Sequence, residues 1–112
     1  MTKPVDRPYS QYSLDALRLF GQLIREGRIA RSLTTTDLAT RAGVSRALLQ
    51  RIERGDPRCS IGAVFEVAVI CGVPLFEQDS RLLAVTLSRQ SEKMTLLPKA
   101  IHSSLKEVKD DF

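Results

Sequence analysis

Tryptophan is absent from the chain, histidine occurs once, and cysteine occurs twice, in 112 residues. The two cysteines, Cys59 and Cys71, have neither the number nor the spacing of a disulfide framework or a CxxC metal knuckle. His102 has no second histidine or cysteine at ligand distance in the sequence, so no zinc site is expected. No glycine-rich phosphate loop occurs, and no Ser, Cys or Asp has a base partner at recognisable spacing. These gaps leave most familiar enzyme chemistries without their reacting groups, and neither catalysis nor a cofactor or metal is expected. The longest apolar run, Val67 to Cys71, is far short of the ~20 residues needed to span a bilayer. The opening stretch MTKPVDRPYSQY lacks the apolar core of a signal peptide, which predicts a cytoplasmic location.

What is present is ordinary globular composition with uneven charge. Apolar residues make up 43%, charged residues 27% and aromatics 5%, values most easily met by a small helical domain. Through Arg58 the chain carries 11 basic and 6 acidic side chains, a net of +5; from Cys59 onward it carries 6 and 7, a net of −1. All but one of those 11 basic residues are Arg, whose planar fork matches phosphate and guanine. A polyanionic partner follows as a first expectation.

Hydrophobic spacing predicts helices and no strand. Residues 1–12, with Pro4 and Pro8, read as a flexible arm. Ser13 is the expected cap of a first helix running to about Arg31 and carrying Leu17, Phe20 and Ile24. Thr34 and Asp37 form a capping-box variant that opens a short second helix with Leu38 and Ala39 inward, and Gly43 stops it. Ser45 caps a third helix to about Arg54, with Val44, Leu48, Leu49 and Ile52 available to a core. Ser60 is the expected cap of a fourth, with Ile61, Val64, Phe65, Ala68 and Val69 as its apolar stripe, closed by Gly72. Pro74 begins a turn through Leu75 and Phe76, and residues 79–90 suggest one more helix on Leu82, Leu83, Val85 and Leu87. Beyond Ser91 the periodicity fades into a tail.

The central feature is the segment Thr34–Arg54, TTTDLATRAGVSRALLQRIER, in which two capped helices meet at a glycine. That is the layout of a helix-turn-helix, with Ala39 small at the crossing, Gly43 in the turn, Val44 plugging the angle and Ser45 presenting the first turn of the next helix outward. Arg28, Leu33-Thr34, Leu38-Ala39, Gly43-Val44-Ser45 and Ile52-Glu53-Arg54-Gly55 together resemble the lambda-repressor-like (XRE) helix-turn-helix family, from about Leu14 to Gln78. Thr35 stands where many members of that family carry Gln. The resemblance implies an all-α fold: a five-helix DNA-binding domain over 13–78, an added C-terminal helix over 79–90 as a candidate dimer contact, and a flexible tail over 91–112.

It also implies roles. Ser45, Arg46 and Ala47, with Gln50 and Arg51 one turn on, would face the bases of a double-stranded operator; Arg46 and Arg51 suit guanine, Gln50 adenine and Ala47 a thymine methyl. Thr34, Thr35 and the start of the second helix would hold phosphates, assisted by Arg41 and Arg54. Arg28 and Glu53 would pair across the first and third helices as a structural ion pair. A homodimer is implied, because two such modules read half-sites about 34 Å apart. The C-terminal part, through Leu96-Leu97-Pro98-Lys99 and Val108-Lys109-Asp110-Asp111-Phe112, resembles HipB-like antitoxins, dimeric autorepressors paired with HipA-like kinase toxins. A toxin would then meet Leu97, Ile101, Leu105, Val108 and Phe112 in the tail. A stand-alone repressor of the same fold, with the tail simply solvated, remains the alternative.

Overall fold

The structure, a computed structural model, describes residues 9–77 and 79–101. Five α-helices and no strand occur among them: α1 (Gln11–Ala30), α2 (Thr35–Ala42), α3 (Arg46–Glu53), α4 (Ile61–Ile70) and α5 (Ser80–Thr95). The chain divides into two compact units, Met1–Leu75 and Phe76–Phe112. The first holds α1–α4 and the second holds α5, so the five helices are the whole helical content of the described residues. Pro74 to Phe76 bends without adding a helix, as the turn chemistry predicted.

Helix starts follow hydroxyl caps. α1 begins a turn earlier than expected: the cap is Ser10, whose Oγ accepts from the Ser13 amide at 3.1 Å, while Ser13 lies inside the helix. Two candidate caps sit one turn apart, and the earlier one adds a turn of backbone bonds starting with Leu14 N to Ser10 O. Residues 11 and 12 therefore belong to α1 rather than to an arm. At α2 the Thr34 Oγ1 accepts from the Asp37 amide and the Asp37 carboxylate accepts from the Thr34 amide, both at 3.0 Å. At α3 the Ser45 Oγ accepts from the Leu48 amide at 3.0 Å. Ser60 occupies the cap position of α4, but its side chain makes no capping bond there. In the second unit, Asp79 accepts from the Arg81 amide at 2.8 Å to open α5, which runs to Thr95, past the expected end near residue 90.

The four ends of α1 to α4 share one device. After each helix a residue with positive φ turns the chain, and the next amide reaches back five residues: Leu33 to Arg28 O, Val44 to Ala39 O, Asp56 to Arg51 O and Val73 to Ala68 O. Gly43 turns the second of them at φ 70°, beside a Ser in the equivalent place after α1, Ser32 at φ 55°.

The buried core of the first unit is Ile24, Leu38, Ala39, Leu49, Ile52, Val67, Ala68 and Cys71. Half-buried Phe20, Leu33, Val44, Leu48 and Val64 pack against it. α1 and α3 approach backbone to backbone at Gly21, where a Cβ would stand 2.6 Å from the carbonyl oxygens of both Ile52 and Glu53. The inward face of α4 differs from expectation. Val64, Val67, Ala68 and Cys71 turn inward, while Ile61 and Val69 are 68% and 58% exposed. α4 is apolar at nearly every position, with Glu66 its one charged residue, so its own pattern marked no face. Burial raises the Cys71 thiol above its ordinary value and keeps it neutral.

Candidate nucleic-acid interface

α2 and α3 present the exposed polar surface that the sequence motif singled out. Burial of Leu38, Ala39, Leu49 and Ile52 fixes the rotation of both helices. Arg46, Ala47, Gln50 and Arg54 of the α3 segment are consequently exposed, and Arg51 is half-buried. At about 100° per residue, Arg46, Gln50 and Arg54 follow one row along the helix, whereas Arg51 lies about 140° from Arg46, at the margin of the face. Ser45 is spent on its cap, which leaves the first turn of α3 ordered with Arg46 and Ala47 outward.

The mouth of α2 is more self-contained than a bare helix start. The capping box takes up the amides of Thr34 and Asp37, leaving those of Thr35 and Thr36 at the end of the helix. The Thr34 hydroxyl accepts one bond and retains its own hydrogen to donate. Asp37 already supplies a negative charge there, and the Thr34 amide it accepts from holds its carboxyl below the usual range. Arg41, one turn on and exposed, lies in the last turn of α2.

Two arginines of this region are engaged within the protein. Arg28 grips Glu53 through Nε to Oε2 at 2.8 Å and a second guanidinium nitrogen to Oε1 at 3.3 Å, and donates to the Leu33 carbonyl at 3.0 Å. This ties the end of α1 to the end of α3 and to the turn entering α2, with the two side chains only 12% and 9% exposed. Arg51 donates from Nε to Asp56 Oδ2 at 3.0 Å and from a terminal nitrogen to the Arg58 carbonyl at 3.4 Å. Asp56 in turn accepts the Arg58 amide on Oδ1 at 2.8 Å. That bond first, and Arg51 second, keep the Asp56 carboxyl below its usual range.

Asp56 is the residue that sequence reasoning passed over. The dipeptide Asp56-Pro57 directly after a helix-stopping glycine is a turn signal, but nothing in it names Arg51 as the partner. The expected partner residues of the second unit are open to solvent where they are described: Leu97 and Ile101 are exposed, and so are Leu82, Leu83 and Leu87 on α5. Leu105, Val108 and Phe112 lie outside the described residues.

A family model described as Helix-turn-helix domain matches residues 19–80. The chain belongs to that helix-turn-helix family. The match enters α1 at Leu19, covers α2 to α4 entirely and ends at the first residue of α5. The helix-turn-helix is a DNA-binding unit, whose second helix enters the major groove. In this helix-turn-helix protein α3 stands in that place. No curated protein matches the chain significantly. Among the described residues no helix is long and apolar enough to cross a membrane.

Proposed function

We propose that this helix-turn-helix protein is a sequence-specific transcriptional repressor, acting without catalysis in the cytoplasm as a homodimer on a palindromic operator. One observation carries the reading. Among the described residues, the row Arg46, Gln50 and Arg54 faces solvent and makes no side-chain hydrogen bond or ion pair, on a helix whose cap and inner face are fully engaged. An exposed row of donors on a rigid helix can enter the major groove without losing internal bonds. Arg46 takes guanine O6 and N7, Gln50 takes adenine, and Ala47 meets a thymine methyl. Thr34, Thr35, Arg41 and Arg54 set the register on phosphates, and Ser45 holds the reading helix in order.

The finer reading is an antitoxin that represses its own operon and binds a HipA-like kinase toxin. The resemblance of Leu96-Leu97-Pro98-Lys99 and of the terminal Val108–Phe112 stretch to HipB-like antitoxins supports it, as does the exposure of the apolar side chains Leu97 and Ile101. Leu97, Ile101, Leu105, Val108 and Phe112 are the proposed toxin contacts.

Two measurements test these readings in order. An operator selected from a random duplex pool by the wild-type chain should lose its preference in Arg46→Ala, with discrimination at one base pair falling by about 1–3 kcal/mol, or roughly five- to 150-fold. An unchanged preference removes Arg46 from the readout. Capture from the native host with and without residues 91–112 then addresses the partner. A kinase-like protein retained only by the full chain supports the antitoxin; operator DNA with no such protein leaves a stand-alone repressor.

A further inference from the structure

Arg51 stands apart from the other polar residues of α3. It is a helix-face arginine that does not project freely, and the carboxylate holding it is placed by backbone bonds that do not involve its guanidinium. Asp56 closes α3 through its own amide on the Arg51 carbonyl at 3.0 Å. Its carboxylate is aimed by the Arg58 amide on Oδ1 at 2.8 Å, and Pro57 between them restricts the backbone. The remaining oxygen, Oδ2, receives Arg51 Nε at 3.0 Å, and the Arg58 carbonyl receives a second guanidinium donor. The loop thus offers a prepared acceptor pair for one guanidinium at the edge of the reading face.

We propose that Asp56 is a specificity-determining residue that holds the Arg51 guanidinium off the DNA, leaving the readout to Arg46 and Gln50. The proposal rests on the DNA-reading role of α3 given above. A free arginine at the margin of that face would reach phosphates in the many loose registers of a non-specific complex, but gains less in the single register that Arg46 and Gln50 fix on an operator. Specificity is a difference of affinities, so sequestering a cation that favours the non-specific registers sharpens it.

Salt dependence reads this directly. Asp56→Asn keeps Oδ1 for the Arg58 amide but puts an amide NH2, a donor, where Oδ2 accepted from Arg51. On a short mixed-sequence duplex, each additional phosphate contact releases ~0.9 counterion, so freeing Arg51 should steepen the log–log salt slope by about 0.9 and raise affinity about eightfold at ~0.1 M salt. Affinity for the selected operator should rise by less than that, so the specificity ratio falls. Asp56→Asn also deletes a negative charge near the duplex, and the Arg51→Gln background separates the two effects. Arg51→Gln alone should leave the wild-type slope unchanged, and adding Asp56→Asn to it should show only the smaller effect of the deleted charge.

An equal gain from Asp56→Asn with and without Arg51 shows that Asp56 acts through its own charge and overturns the proposal. A slope flattened by about 0.9 in Arg51→Gln shows that Arg51 already touches phosphate and also overturns it. If either result appears while Arg46→Ala still relaxes the preference, the reading of α3 stands and only the sequestration falls. A wild-type chain that binds no duplex at low salt overturns both.

Discussion

Replacing Glu53 with Ala should cost the first unit about 3 kcal/mol. The number follows from what remains at the site. Arg28 loses both oxygens that face it, at 2.8 and 3.3 Å, and keeps only the Leu33 carbonyl at 3.0 Å. Its side chain is 12% exposed, too little for water to replace the carboxylate fully. Breaking one side of a buried pair typically costs about 3–5 kcal/mol because the surviving charge stays desolvated; the lower end applies here, since the pair lies at a rim rather than in the deep core. For a domain of this size the melting temperature should drop by about 12–24 °C. Arg28→Met with Glu53→Met removes both charges and should lose distinctly less than the sum of the two single changes. Urea titration followed by far-UV circular dichroism gives all the values. A loss below about 1 kcal/mol in Glu53→Ala, or strict additivity of the two single changes, would show that solvent already screens the pair and that it does not clamp α1 to α3.

The remaining predictions concern local features. Gly21→Ala should destabilise by about 2 kcal/mol or more, because its Cβ would meet two carbonyl oxygens of α3 at 2.6 Å and backbone cannot turn aside; thermal melting checks it. Ser32→Gly should stabilise by about 0.5–1 kcal/mol, since φ 55° strains a side-chain-bearing residue; an unchanged urea midpoint would deny the strain. Asp37 and Asp56 both sit below their ordinary value of 3.8, so each is more acidic folded than unfolded. Their contribution is complete above that value and is lost as pH falls through the folded one. Urea midpoints should therefore decline on acidification below about pH 5, and less steeply in Asp37→Asn. Ser45→Ala should cost about 1 kcal/mol through the lost Leu48 cap, measured as a lower denaturation midpoint.

Much of the helix-turn-helix was legible in the chain because its devices are local. Thr34 and Asp37 reach each other across three residues, Ser45 reaches Leu48 across three, and Gly43 needs only its own backbone angle. Such bonds close within one helical turn, and residue type at fixed spacing is enough to announce them. Local signals failed where they were duplicated or featureless. Ser10 and Ser13 offered two starts for α1, and near-uniform apolarity let α4 choose its inward face only when α1 to α3 were in place. The end of α5 was missed because residues 91–95, Ser-Glu-Lys-Met-Thr, carry helix-compatible side chains with almost no apolar period.

What the sequence by itself determined, then, is an all-helical chain with a basic N-terminal half and the capped helix–glycine–helix that places Arg46 and Gln50 on an outward face. What only the tertiary structure decided is which arginines are free to act. Arg28, Arg46, Arg51 and Arg54 are equivalent letters, and the pattern of α3 put Arg46 and Arg51 forward alike. Glu53 meets Arg28 because α1 and α3 close on Gly21, and Asp56 meets Arg51 because the chain turns back at Gly55. A guanidinium is a strut where a carboxylate is held within about 3 Å of it and stays open to a ligand where none is, and that distance exists only after the helices have packed.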